Sequence, residues 1–239
     1  MWVISVAVGA FEANCYLVGA DASPDLVVVD AGAEPSRIWE AIQATGRRAG
    51  LLLNTHAHLD HIGAVQELKK LTGAPFWLHA GDGPMLADPE LNLSAWSGQP
   101  VVAPPADAYL QDGQEFLFAG LNWRVLHTPG HTPGSVCFLV RDAPKVQETP
   151  GVAGRPGAES AAPPGAGVPA LFSGDTLFAG SVGRTDFPGG DPRALARSLQ
   201  ALVREVPEDA RIYPGHGPAT SMEEERRRNF YLQGRRCGA

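Results

Sequence analysis

The sequence predicts a mixed α/β fold, and three observations support that prediction. Short apolar segments, typical of buried strands, alternate with segments whose apolar residues recur at helical spacing. The alternation occurs in two halves of the chain, and each half begins with a run of strands. Several predicted strands end in a glycine or Pro-Gly turn that is followed at once by a histidine or an aspartate. We therefore expect polar side chains to gather where strands end, the usual ligand position in such sheets.

Length and composition set limits on the class of protein. A length of 239 residues favours one domain over residues 1–239, large enough to bury a sizeable core. The net charge of −7, without a long run of Lys or Arg, argues against a nucleic-acid partner. The sequence shows neither a membrane-spanning stretch nor a secretory signal, so we expect no membrane partner and a cytoplasmic location. Its three scattered cysteines do not suggest a disulfide framework.

The first half is predicted to contain most of the strands. They cover residues 2–9, 14–19, 26–30, 51–54 and 76–78, helices cover about 35–44 and 62–71, and 79–106 is mostly loop. Residues 26–29 are continuously apolar, which predicts a strand that is buried on both faces. Ile38, Trp39 and Ile42 fall at helical spacing, and Gly46 is placed to end that helix.

The second half repeats the order of strands first and helix afterwards. Its predicted strands cover residues 121–126, 136–140, 170–173 and 211–213. Asp191 and Pro192 form an N-cap and first-turn pair, which predicts a helix to about Glu205. Ser221 begins a capping-box pattern for a final helix, whose arginines at 226–228 are expected to pair with the preceding glutamates in solvent.

Residues 142–169 differ from the rest of the chain. Of these 28 residues, six are Pro, five Gly and six Ala, and large apolar side chains are nearly absent. Such a segment buries too little surface to offset the entropy of ordering it. Because it lies between two predicted strands, we interpret it as a long surface loop inserted into the domain and without a catalytic role.

The strongest local signal is a cluster of metal-ligand side chains. His56, His58, Asp60 and His61 lie within six positions, between a buried strand and a predicted helix. Imidazole and carboxylate groups at such spacing are typical of divalent metal sites. A single segment holds only half of such a site, so further ligands must come from elsewhere in the chain.

Three later residues share the context of a strand followed by glycine. His131 lies between two Pro-Gly turns, Asp175 follows Gly174, and His216 lies between two glycines. Five histidines and two aspartates exceed the needs of one ion, so a pair of ions sharing a carboxylate fits better. Two adjacent metals activate a bridging water and polarise a carbonyl, which is the chemistry of hydrolysis. The remaining histidines, His79 and His127, lack this context and are expected to lie outside direct metal contact.

These motifs resemble the metallo-β-lactamase-fold hydrolases over nearly the whole chain. The segments at 128–135, 173–178 and 214–217 are similar to the glyoxalase II-like branch. The loop at 183–191, Gly-Arg-Thr-Asp-Phe-Pro-Gly-Gly-Asp, is similar to its short bacterial subgroup of hydroxyacylglutathione hydrolases. The resemblance implies a four-layer αββα sandwich with the site at one edge of two sheets.

The resemblance also implies a distribution of the ligands between two ions, with zinc expected and iron or manganese as alternatives. The first ion would be bound by His56, His58 and His131, and the second by Asp60, His61 and His216, while Asp175 would bridge both. The implied activity is hydrolysis of a small-molecule acyl-thioester, such as a glutathione conjugate, by a hydroxide that bridges the metals. Asp60 would also orient that nucleophile or take its proton.

Two departures from glyoxalase II concern substrate recognition. Only 23 residues follow His216, so most of the helical extension that holds glutathione in glyoxalase II is missing. Arg184 stands near the place of a glutathione-binding lysine, and no tyrosine accompanies it. Arg184 is therefore either a ligand for a substrate carboxylate or the partner of Asp186 or Asp191 in a loop ion pair.

Two rival activities fit the same motifs. A persulfide dioxygenase of this fold would use one iron held by His56, His131 and Asp175, but a complete second ligand set favours a hydrolase. A lactonase or other ester hydrolase needs only a different pocket around the same site. The sequence does not decide the oligomeric state.

Overall fold

The computed structural model describes residues 1–142 and 167–233. The strands of the first half form one six-stranded sheet. They are β1 (Trp2–Val8), β2 (Ala13–Gly19), β3 (Asp25–Val29), β4 (Arg48–Leu53), β5 (Phe76–His79) and β6 (Ala108–Leu110). They are ordered β1-β2-β3-β4-β5-β6, with antiparallel pairing up to β3 and parallel pairing from β3 to β6.

The strands of the second half form another six-stranded sheet and a small hairpin. The hairpin strands are β11 (Leu177–Phe178) and β12 (Ser181–Val182), and the sheet contains β7 (Glu115–Phe118), β8 (Leu121–His127), β9 (Val136–Asp142), β10 (Ala170–Gly174), β13 (Arg211–Pro214) and β14 (Thr220–Ser221). The sheet order is β14-β13-β10-β9-β8-β7. Only the β10–β13 pairing in this sheet is parallel.

The helices cover the outer faces of these sheets. They are α1 (Pro35–Ala44), α2 (Leu59–Ile62), α3 (Val65–Thr72), α4 (Pro192–Glu205) and α5 (Met222–Arg228), with 3₁₀ turns at Ala80–Leu86, Ser94–Trp96 and Phe230–Leu232. Helices α1 and α4 have the predicted bounds. The Asp191 carboxylate caps α4 by accepting bonds from the Arg193 and Ala194 amides. In the described ranges, none of the helices combines the length and apolar character needed to cross a membrane.

The prediction of one continuous helix over residues 62–71 is wrong, because the segment is divided between α2 and α3. The side-chain amide of Asn54 donates to the backbone carbonyl of His61 at 2.6 Å. This bond competes for an acceptor that a continuous helix would use. The Ala64 amide donates to the Ala31 carbonyl instead of to the preceding turn. The break leaves Asp60 and His61 on a separate short helix that is fixed against the end of the first sheet.

Three apolar layers separate the helices and the sheets. Val27 and Val29 face the core between the two sheets, whereas Leu26 and Val28 face the core beneath α1 and α3. This confirms the prediction of a strand buried on both faces. A third core joins the outer face of the second sheet to α4. The layers therefore follow the predicted order of helix, sheet, sheet, helix.

Two surface predictions have different outcomes. Strands β9 and β10 flank the Pro-rich insertion and pair antiparallel, whereas residues 143–166 lie outside the described part of the chain, so the interpretation of that loop stays a prediction. At the final helix, Arg227 and Arg228 pair with Glu224 as expected. Arg226 instead donates to two carbonyls at the carboxyl end of α4, because the last helical turn leaves its carbonyls free.

Candidate metal centre

All the loops that carry predicted ligands meet at one end of the sandwich. Because β9 is antiparallel to both β8 and β10, and β13 is parallel to β10, the loops after β8, β10 and β13 share one edge. The Val136 amide donates to the Thr55 carbonyl at 2.8 Å, and the Asn14 amide donates to the Gly215 carbonyl at 2.7 Å. These two bonds fasten the edges of the two sheets together beside the site.

The first group of side chains consists of His56, His58 and His131. All three residues are buried, and one ligand atom from each lies within 4.8 Å of the others. The Nδ1 atom of His58 is 2.9 Å from Nε2 of His131. This is the trio that the family resemblance assigns to the first ion.

The second group consists of Asp60, His61 and His216, whose ligand atoms also lie within 4.8 Å of one another. The His216 Nε2 atom is 3.1 Å from the Asp60 carboxylate. This group is more open than the first, because the His216 side chain is 28% exposed and that of Asp60 is 18% exposed.

Asp175 lies between the two groups. Its Oδ1 atom is 3.5 Å from Nε2 of His61, and its Oδ2 atom is 3.5 Å from Nε2 of His131 and 3.6 Å from Nε2 of His216. Gly215 makes this arrangement possible, because a Cβ atom there would lie 2.2 Å from the Asp175 Oδ1 atom. The structure thus brings all seven predicted ligand side chains together, and Asp175 contacts members of both groups.

Buried atoms without hydrogen-bond partners test whether the site suits a metal. The Nε2 atoms of His56 and His61 and the Oδ1 atom of Asp175 are buried, and no described residue forms a hydrogen bond with them. The same three residues form a further cluster of ligand atoms. Unpaired buried polar atoms are destabilising, and a bound cation would satisfy them. The donors are imidazole nitrogens and carboxylate oxygens, which suit zinc, iron and manganese.

The two groups differ in electrostatic character. Burial, with repulsion from neighbouring histidines, lowers the pKa of His58 to about 3 and places the pKa of His56 well below its usual value. Burial also acts to lower the pKa of His61, but Asp60, Asp30 and Asp175 raise it to about 10. His56 and His58 therefore offer neutral imidazoles, the form that binds metal, whereas His61 is surrounded by carboxylates that attract positive charge.

Asp30 is a residue of the site that sequence reasoning missed. It is buried, and its carboxylate accepts bonds from the Thr55 amide at 2.7 Å and the Thr55 hydroxyl at 2.8 Å. It also lies 3.1 Å from Nδ1 of His61, and Thr55 Oγ1 lies 3.1 Å from Nδ1 of His56. Such contacts to the far ring nitrogen fix how a histidine presents its other nitrogen. The sequence contained a signal for this residue, because Asp30 follows an apolar strand just as Asp175 does.

Asp82 is a second missed residue, and it joins the two loops of the first group. Its fully buried carboxylate accepts bonds from the Ala57 amide at 3.0 Å, the Gly134 amide at 2.6 Å and the Thr132 hydroxyl at 2.7 Å. Ala57 lies between His56 and His58, while the other two partners follow His131. The Gly-Asp-Gly sequence around Asp82 indicates only a turn, so nothing in the sequence pointed to this role.

Other contacts hold His216 and His131 in place. Tyr16 donates to the Pro214 carbonyl at 2.6 Å, and the Asn14 amide group donates to the Pro214 and Gly217 carbonyls. The Nδ1 atom of His216 is 3.0 Å from the Phe11 carbonyl, and that of His131 is 2.8 Å from the Arg184 carbonyl. Residues of the first sheet therefore position the loop of the second sheet that carries His216.

His79 and His127 lie together outside the three ligand clusters. Their rings stack with centroids 4.0 Å apart. The Nε2 atom of His127 is 3.0 Å from the Pro133 carbonyl, so His127 braces the loop that carries His131 without joining its cluster.

Arg184 makes the loop ion pair that the sequence offered as one alternative. Its Nε and Nη2 atoms each lie 2.7 Å from the Asp186 carboxylate, and its guanidinium lies 4.0 Å from the Phe187 ring centre. Because the Arg184 carbonyl also contacts His131, the same residue links the outer loop to the metal centre. Contact between Arg184 and a substrate stays a prediction.

Comparison with known proteins identifies the family. The model of the Metallo-beta-lactamase superfamily matches residues 8–144 and 166–216. Among curated relatives, the hydroxyacylglutathione hydrolase GloC of Haemophilus influenzae is 31% identical over 233 residues, which cover 95% of this chain and 96% of GloC.

Two solved structures share both fold and sequence with this chain. The BLEG-1 B3 metallo-beta-lactamase has a TM-score of 0.80 and 31% identity, covering 97% of this chain and all of that one. TTHA1623 in a di-iron-bound form has a TM-score of 0.74 and 36% identity, covering 95% of this chain and 99% of that one.

We predict that Asp82→Ala leaves the protein folded but lowers metal affinity about 10- to 100-fold, because both loops of the first histidine group lose a shared anchor. Competition with a chelating indicator measures the affinity, and circular dichroism of metal-free protein checks the fold. Asp82→Asn should cause a smaller loss, since its amide keeps one oxygen acceptor. Asp112→Ala, which removes a single backbone contact at His127, is the control. An unchanged affinity in Asp82→Ala contradicts the anchoring role.

Proposed function

Since the chain belongs to the metallo-beta-lactamase superfamily and is a metal-dependent hydrolase, we propose that it cleaves acyl-thioesters, with hydroxyacylglutathione as the substrate class. The observation that carries the proposal is the location of Asp175 between two groups of three ligand-type side chains. The similarity to a hydroxyacylglutathione hydrolase over nearly the full length supports the choice of a thioester. A persulfide dioxygenase would leave the group of Asp60, His61 and His216 without a use.

The difference in exposure between the two groups indicates how the substrate approaches. The first group is nearly inaccessible, whereas Asp60 and His216 of the second group are partly exposed. Two ions bound there would supply a water nucleophile at neutral pH and a Lewis acid for the carbonyl. We place the thioester carbonyl on the open side, beside Asp60.

Asp60 is proposed to orient the attacking water and to hold its proton. Burial raises the pKa of the Asp60 carboxyl, but the nearby His61 and His216 lower it by a larger amount. The pKa therefore lies below its usual value, and Asp60 is ionised and accepts hydrogen bonds. Its contact with Nε2 of His216 fixes the side chain at the open face. A carboxylate held this way needs no rearrangement to accept a hydrogen bond from the attacking water.

Zinc is the metal that we propose, with iron and manganese as alternatives. Imidazole and carboxylate donors accept all three ions. The di-iron form of a protein that is 36% identical to this chain keeps iron as a serious alternative. Metal identity is therefore part of the test of function.

The test is elemental analysis of the purified protein together with assays on the same batch. We expect about two metal ions per chain and hydrolysis of S-lactoylglutathione with release of free thiol. Parallel assays with a lactone, a β-lactam and glutathione persulfide with oxygen uptake separate the rival reactions. The thioester proposal fails if zinc-loaded and iron-loaded protein both leave every acyl-thioester intact.

We predict that Asp60→Ala empties mainly the second metal site and abolishes thioester hydrolysis while the fold is kept. One ion per chain should remain, because His56, His58 and His131 are untouched. Elemental analysis, circular dichroism and thiol release are the measurements. Full activity in this variant would show that the assignment of two ions is wrong.

We predict that Arg184→Ala raises KM for a glutathione thioester about tenfold or more, because a charge-assisted bond contributes roughly 1.5–3 kcal/mol. Arg184→Lys should recover only part of the loss, since lysine lacks the planar fork. A thioester of a neutral thiol is the control substrate, and its KM should not change. Equal effects on both substrates would show that Arg184 acts only by shaping the loop at His131.

A further inference from the structure

Three phenylalanines surround the metal centre, and none of them is fully buried. Phe11 follows β1, Phe178 belongs to the small hairpin, and Phe187 lies in the loop that begins at Gly183. Phe11 is 58% exposed, and the other two are half-buried. A single exposed phenyl ring is ordinary, so these residues matter because they lie beside the same polar centre.

Phe187 lies against the first group of histidines. Its ring packs edge-on against the His58 ring with centroids 5.8 Å apart. The Arg184 guanidinium covers it from another side at 4.0 Å. The ring therefore separates the charged outer loop from the metal centre and presents an apolar edge between them.

Phe11 and Phe178 lie against the second, more open group. The Phe178 ring packs edge-on against the His216 ring with centroids 6.2 Å apart. The Phe11 carbonyl lies 3.0 Å from Nδ1 of His216, so the backbone of this exposed residue lies next to the same histidine. Apolar side chains thus border both ligand groups at the site where a thioester carbonyl would arrive.

We infer that Phe11, Phe178 and Phe187 form an apolar acyl pocket, so that this enzyme favours thioesters whose acyl chains are apolar and longer than lactoyl. The inference rests on the proposed thioesterase function and extends it to the acyl half of the substrate. An apolar chain placed against these rings removes both its own surface and theirs from water. Each added methylene should then raise kcat/KM up to about fourfold, the equivalent of roughly 0.8 kcal/mol per buried methylene.

The test is a series of straight-chain acyl thioesters of one thiol, from acetyl to octanoyl, assayed on metal-loaded protein. In the wild-type enzyme, kcat/KM should rise with chain length and exceed the lactoyl value. In Phe11→Ala and Phe187→Ala, the ratio of the octanoyl to the acetyl kcat/KM should fall at least tenfold relative to the wild type, with metal content measured for each variant. Phe230→Ala is the matched control, because Phe230 is likewise exposed, at 47%, and packs on Tyr231 outside the ligand clusters.

A binding measurement keeps this inference separate from the proposed function. The affinities of metal-loaded protein for acetate, butanoate, hexanoate and octanoate are measured by calorimetry, which needs no turnover. Affinity should increase along the series in the wild type and in Phe230→Ala, and the increase should be lost in the other two variants. Absence of thioester turnover refutes the thioesterase proposal alone. A flat series in the wild type, or an increase unaffected by Phe11→Ala and Phe187→Ala, overturns the acyl pocket.

Discussion

Packing of carboxylates and imidazoles at one end of the sandwich is the constraint on which the rest of the structure depends. Asp30, Asp60 and Asp175 surround His61 closely enough to raise its pKa to about 10 despite its burial. Buried charge of this density is unfavourable unless positive charge compensates it. Divalent ions supply that compensation, so stability at this end of the molecule and metal binding are two aspects of one interaction.

The two sheets supply the rigidity that holds these groups together. Three apolar cores fix both sheets, and backbone bonds at Thr55 and Gly215 tie their ends across the interface. Side chains of one half then position ligands of the other, as Tyr16 does for the segment before His216. Precise placement of the ligand atoms explains the hydrogen bonds to the outer ring nitrogens of His56, His131 and His216.

Local patterns predicted the order of strands and helices in each half and the grouping of ligand side chains, whereas the four-layer order was implied by the family resemblance. Apolar alternation marks strands, and a polar residue directly after a strand and glycine marks the sheet edge. The division between α2 and α3 was not predictable, since it arises from Asn54 and Ala31, which contact the segment only in the folded chain. Asp82 was missed for the same reason, because its three partners lie 25 to 52 residues away. The charge pattern predicted that Arg226 pairs with nearby glutamates, but its guanidinium donates to free carbonyls at the end of α4 instead.

The loop at 183–187 contributes both to the orientation of a metal ligand and to the surroundings of the proposed substrate. Its backbone carbonyl at Arg184 contacts His131, its guanidinium is pinned by Asp186, and its phenyl ring packs against His58. The guanidinium and the first histidine group are therefore linked through the Phe187 ring, which contacts both. In a family where one fold serves many substrates, such a loop allows recognition to change without moving the ligands themselves. Substrate selectivity and metal affinity should therefore change together when residues 183–187 are altered. They should change independently of each other when exposed residues beside Asp60 and His216 are altered.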